Sequence, residues 1–155
     1  MSEQKSSIER DILQGYVVNV EFDGLYVPAT MQNLMIRDYA KRNGLKLRIS
    51  VGEYCFPGCT LQLDNIVKKL PEVEGIAMCS MFMLPKDDTK RQQLYDKVIA
   101  AAAALHLLLE NIVVRSAEDA ERVEEILYLN RMIRGAPQHI PKDILPSCHE
   151  IDSFT

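Results

Sequence analysis

Glu53 and Tyr54 stand side by side in the segment Gly52 to Gly58, just after an apolar run. A carboxylate and a phenol at the carboxyl end of a strand can exchange protons with a substrate hydroxyl, so these two are the candidate catalytic residues. Ser50 lies just upstream, and Ser80 ends a second apolar run. Ser80 has no Gly-x-Ser-x-Gly elbow and no adjacent base, which points to hydrogen bonding with a ligand rather than nucleophilic attack. Gln32, Asn33 and Arg37 fall on one predicted helix, with Asn33 and Arg37 four residues apart on a shared face. The guanidinium fork matches a carboxylate or phosphate, and Gln32 sits near the helix start, where anions are favoured. Arg91, four residues before Tyr95, opens a longer helix on a face that would overhang the same site. Gln32, Asn33, Arg37, Ser50, Ser80 and Arg91 are thus the expected substrate-binding set.

Other constellations carry less. His106 lies among leucines, four residues before Glu110, and reads as a buried histidine paired with that carboxylate. On a continuous helix it would lie about 22 Å from Arg91, too far to share one small site. Cys55 and Cys59 are separated by Phe-Pro-Gly, and no second pair at metal-ligand spacing accompanies them. With no secretion signal, the four cysteines are expected to be reduced, and no metal is expected. Cys148-His149-Glu150 are consecutive, and neighbours rarely converge on one ion. Gly24, Gly52 and Gly58 are isolated, so no phosphate loop or dinucleotide fingerprint exists and no cofactor is implied.

The elements that must position these residues alternate. Strands are predicted at Gly15 to Phe22, Leu45 to Val51, Gly75 to Ser80 and Ile112 to Val114, rich in β-branched and apolar residues. Helices are predicted at Ala29 to Arg42, Thr60 to Leu70, Asp87 to Leu109 and Ala117 to Ile133. Pro28, Asn43-Gly44, Pro71, Ser116 and Gly135 punctuate them. Strand–helix alternation implies an α/β fold with a mostly parallel four-stranded sheet and helices on both faces, three layers in all. Chemistry in such sheets sits at the carboxyl ends of the strands, which selects Glu21 to Pro28, Ser50 to Cys59 and Ser80 to Lys86.

The length of 155 residues fits one domain, with a core over 15–134 and a proline-bearing tail over 135–155. A net charge of −4 argues against a protein built to neutralise nucleic acid. The longest apolar run, Val98 to Leu109, is too short to span a bilayer, and the polar start is not a signal peptide. A cytoplasmic protein is expected. Met81 to Leu84 form an apolar run where a polar loop would be normal; the available cover is the proline-bearing tail or a second subunit, and a homo-oligomer, most simply a homodimer, is expected.

Four segments carry a resemblance over about Gly15 to Val114. Met31-Gln-Asn-Leu-Met-Ile-Arg-Asp-Tyr39, Ser50-Val-Gly-Glu-Tyr54, Ser80-Met-Phe-Met-Leu-Pro85 and Leu105-His-Leu-Leu-Leu-Glu110 resemble those of sporadic carbohydrate cluster proteins. That resemblance implies a role in bacterial lipopolysaccharide or capsule biosynthesis. The substrate would be a phosphorylated or nucleotide-linked sugar, with Glu53 as acid or base. In architecture, Gly-Tyr at the first strand and the element order are similar to the catalytic domain of serine recombinases, and a flavodoxin-like arrangement has the same order. The recombinase strand carries Tyr-x-Arg-x-Ser, with the serine as nucleophile. Here Val18 and Val20 follow Tyr16 at those positions. The alternative expectation is therefore a non-catalytic recombinase-like module acting through protein contacts.

Overall fold

The first strand, β1 (Ile12–Val17), is buried from Leu13 onward and sits inside a five-stranded sheet. The computed structural model describes residues 10–137. After β1 come α1 (Ala29–Arg42), β2 (Lys46–Gly52), α2 (Leu61–Val67), β3 (Gly75–Met78) and α3 (Asp88–Ala100). Then follow β4 (Ala104–Leu107), β5 (Ile112–Val114) and α4 (Ala117–Gly135). The strand order is β2-β1-β3-β4-β5, parallel except for β5, which runs antiparallel to β4.

That order decides where the helices go. The chain moves one way from β1 to β2, then crosses back over β1 to β3. Right-handed crossovers in opposite directions put their helices on opposite faces. Side chains alternate accordingly. Leu13 and Val17 pack with Ile36 and Ala40 of α1 and with Ala77 of β3. Tyr16, of opposite parity, turns toward α2. The described residues divide into two units between Glu124 and Glu125, and the whole sheet with α1 to α3 lies in the first.

The predicted α1 coincides with the observed helix, between Pro28 and the Asn43-Gly44 stop, where Gly44 takes φ 66°. Three expectations are corrected. The sheet has five strands rather than four, because the predicted helix Asp87 to Leu109 is a helix, a turn and a strand. Helix α3 ends at Ala100, and Ala102 adopts φ 51°. Ala104–Leu107 then enters the sheet as β4, every residue of it buried. A strand covered on both faces reads as an unbroken apolar run, which alanine-rich sequence disguises as helix. The first strand also ends earlier than predicted, at Val17 rather than Phe22. Phe22 instead bridges Leu25 across Asp23-Gly24.

The third correction concerns His106. In β4 it faces away from Glu110 and bonds Glu74 through Nε2 at 2.7 Å and Tyr39 through Nδ1 at 2.7 Å. Because Glu74 accepts, Nε2 carries the proton and the Tyr39 hydroxyl donates to Nδ1. Arg115 adds a 2.7 Å bond to Glu74. Burial alone would raise the Glu74 carboxyl, but His106 and Arg115 outweigh it and hold the pKa at about 2. Glu110 serves Ser80 instead, accepting its hydroxyl at 2.6 Å.

Candidate functional site

In sheets of this kind, ligands bind outside the carboxyl ends of the strands where the order reverses. Here the reversal lies between β1 and β3, and a cavity of about 510 Å³ opens at that place. Three segments build it: Tyr16 to Phe22 at and beyond the end of β1, Glu53 to Thr60 after β2, and Phe82 to Lys90 after β3. Tyr16, Tyr54, Phe56 and Phe82 supply aromatic surface, while Lys86 and Lys90 bring positive charge and Glu21 and Asp87 negative charge to the same lining.

Glu53 belongs to this lining, but its oxygens are already engaged. Its carboxylate accepts from the Tyr16 hydroxyl at 3.0 Å and from the amides of Gln62 and Leu63 at 3.1 Å. The Tyr54 amide adds 3.1 Å and the Cys59 thiol 3.3 Å. Burial would raise the Glu53 pKa, yet these donors, led by the Gln62 and Leu63 amides, hold it below the usual carboxylate range. Burial and the adjoining Glu53 charge push the Tyr16 phenol strongly upward. Both groups therefore stay in their ordinary charge states at neutral pH. Glu53 ties the β2 loop to the start of α2, and the neighbouring Tyr54 side chain is exposed in the lining.

Three more residues chosen from the sequence act as braces behind the walls. Gln32 is fully buried, accepts from the Val18 amide at 3.1 Å and donates to the carbonyls of Val18 and Val27 at 2.7 Å. That grip fixes the chain leaving β1. Ser80 accepts from the Phe82 amide at 3.2 Å while donating to Glu110, which also accepts from the Met81 amide. The apolar run Met81 to Leu84 is thereby wound into a short 3-10 turn, and Met81, Met83 and Leu84 are buried within the chain itself. Arg91 is buried and forks onto Glu124, with further bonds to Asp88 and to the carbonyls of Pro85 and Lys86. It holds the third wall in place.

The remaining candidates lie elsewhere. Arg37 is exposed and Asn33 half-buried on α1, which contributes nothing to the lining. Ser50 lies over Gly15, where a Cβ would stand 2.1 Å from its Oγ. Ser50, Glu53, Ser80 and Arg37 thus do not meet in one cavity. Sequence reasoning missed Phe56, Lys86 and Lys90, although Phe56-Pro57-Gly58 marked a turn and Lys86 closed a selected loop. Among the described residues, no group of His, Cys, Asp and Glu is placed to hold a metal ion, and no helix is long and apolar enough to cross a membrane. Cys148, His149 and Glu150 lie outside the described residues.

No protein-family model matches the chain, and neither does any curated protein sequence. Among solved structures it is similar to the N-terminal catalytic domain of TP901-1 integrase, at 14% identity and a TM-score of 0.60. The similarity covers 80% of this chain and 97% of that one. The chain therefore shares the α/β fold of a serine recombinase catalytic domain, with a five-stranded, mostly parallel sheet.

Proposed function

We propose that the chain binds a phosphorylated or nucleotide-linked sugar in the cavity between the ends of β1 and β3, as a cytoplasmic protein of bacterial surface-carbohydrate biosynthesis. The supporting observation is the lining itself. Aromatic surface from Tyr54, Phe56 and Phe82 suits a sugar or base ring, and Lys86 with Lys90 suits a phosphate. Tyr54 is the phenol available to a ligand hydroxyl. Glu53, Gln32, Ser80 and Arg91 shape the cavity from behind, so acid or base chemistry by Glu53 would need one of its present donors to leave.

A second reading is favoured by a separate observation. Val18 and Val20 stand where a recombinase would carry arginine and serine, and Ser50, Glu53, Ser80 and Arg37 are dispersed. A non-catalytic module acting through protein contacts fits that pattern. Its homodimer would use the apolar stripe Tyr128, Leu129, Met132 and Ile133 along α4, spaced to share one helix face and exposed.

A thermal-shift screen with sugar phosphates and nucleotide sugars separates the two, because a ligand that binds only the folded state raises Tm. A rise abolished by Lys86→Glu with Lys90→Glu supports the cavity. No rise with any compound favours the module.

A further inference from the structure

Two thiols flank one turn in the cavity wall. Phe56-Pro57-Gly58-Cys59 closes with a 3.1 Å bond from the Cys59 amide to the Phe56 carbonyl, and Gly58 takes φ 72°. Such a turn brings its first and last Cα atoms within about 7 Å. Cys55 directly precedes it at a further bend of the chain, so only a bend and a tight turn separate the two cysteines. A disulfide needs Cα atoms about 4.4–6.8 Å apart, and a chain that reverses over these five residues can bring its two ends to that separation. Cys55 is exposed and Cys59 partly so, whereas Cys79 is buried in the core. The Cys59 thiol donates to Glu53, and Phe56, Pro57, Gly58 and Cys59 all line the cavity.

We propose that Cys55 and Cys59 are a redox modification site, closed into a reversible disulfide by a peroxide, and that closure reshapes the cavity wall. In the first step the exposed Cys55 sulfur takes one peroxide oxygen, the O–O bond breaks, and a sulfenic acid and water form. In the second, the Cys59 sulfur attacks the Cys55 sulfur, and the S–O bond breaks. The hydroxyl leaves as water with the Cys59 proton. A dithiol reverses the change. The Cys59–Glu53 bond is lost, because a disulfide sulfur has no proton to donate. The ring re-forms the path of Phe56 to Gly58, which line the cavity, and so changes the shape of the site. The consequence for ligands rests on the cavity being a binding site, whereas formation of the bond does not.

The test treats the reduced full chain with hydrogen peroxide and follows intact mass, peptide linkage and affinity for anilinonaphthalene sulfonate, an aromatic anion. The expected result is a mass lower by two hydrogens, a Cys55–Cys59 linked peptide, and reversal by dithiothreitol. Probe affinity should fall by about threefold or more. Cys55→Ser and Cys59→Ser should each abolish the mass loss and the affinity change. Absence of the linked peptide, linkage through Cys79 or Cys148, or cross-linked chains overturns the proposal. A Cys55–Cys59 bond that leaves probe affinity unchanged overturns the gating, and a probe that never binds counts against the cavity as a site while the disulfide stands.

Discussion

Tyr16 donates its hydroxyl to Glu53 across 3.0 Å, joining β1 to the loop after β2 at the point where α2 begins. The carboxylate also receives backbone amides from Tyr54, Gln62 and Leu63, so one side chain gathers three segments. The residue that sequence reasoning nominated as an acid or base is, by geometry, the fastening of the site.

Removing that charge should therefore be felt in stability. Glu53→Gln keeps the shape but weakens charge-assisted bonds and brings two N–H groups to face amide donors, costing about 1–3 kcal/mol. Tyr16→Phe removes one donor of several and should cost about 1 kcal/mol. Urea unfolding of both variants checks the ranking. Equal stability of Glu53→Gln and wild type would free Glu53 for chemistry.

The Arg91 fork predicts a larger loss. Its side chain is 4% exposed, and Glu124 is 35% exposed. Glu124 holds the arginine in its charged form, while Arg91 holds Glu124 below the usual carboxylate range. Arg91→Met leaves the partly buried Glu124 carboxylate and the Pro85 and Lys86 carbonyls short of their partner, at a cost of about 2–4 kcal/mol. Lowered ligand affinity should accompany it, since Pro85 and Lys86 lose their anchor. Unfolding curves superimposable on wild type would contradict this.

Acid should weaken the protein through Glu74. Its carboxyl ionises at about 2 in the folded chain against 4.5 without partners. A depressed carboxyl contributes stability that is fully present above the unfolded value and is lost as pH falls through the folded one. By pH 3 roughly 2 kcal/mol from this group should be gone. Glu74→Gln should show a shallower decline between pH 5 and pH 3 in urea titrations. Parallel curves for variant and wild type would exclude Glu74 as the source.

The turn after α3 gives a prediction of opposite sign. Ala102 is exposed at φ 51°, a conformation unfavourable for a residue with a Cβ. Ala102→Gly should stabilise by about 0.5–1 kcal/mol, which thermal unfolding can read. A helix continuing through Ala102, as expected from the sequence, would instead make glycine destabilising.

What the sequence made legible follows the range of the interactions involved. Local punctuation placed α1 correctly, because Pro28 and Asn43-Gly44 act within a turn of the residues they stop. The strand hidden in Ala104–Leu107 was not legible, since a doubly covered strand and a buried helix share one pattern. Pairings failed for the same reason. His106 and Glu110 suit a helix by spacing, but in β4 the histidine meets Glu74, 32 residues away. The three loops selected at the carboxyl edge of the sheet line the cavity, and Gln32, Ser80 and Arg91 brace its walls. Polarity in the sequence marked where hydrogen bonds were needed. It did not distinguish bonds to a ligand from bonds to the chain's own backbone.

The central claim, that the cavity binds a phosphorylated or nucleotide-linked sugar, is tested most directly by mapping amide chemical shifts in the isotope-labelled protein during titration with a nucleotide sugar and a sugar phosphate. Saturable shifts concentrated in residues 16–22, 53–60 and 82–90, and lost in the Lys86→Glu, Lys90→Glu double variant, are the predicted result. Shifts confined to α1 around Arg37, or none up to the solubility limit of either compound, would contradict it.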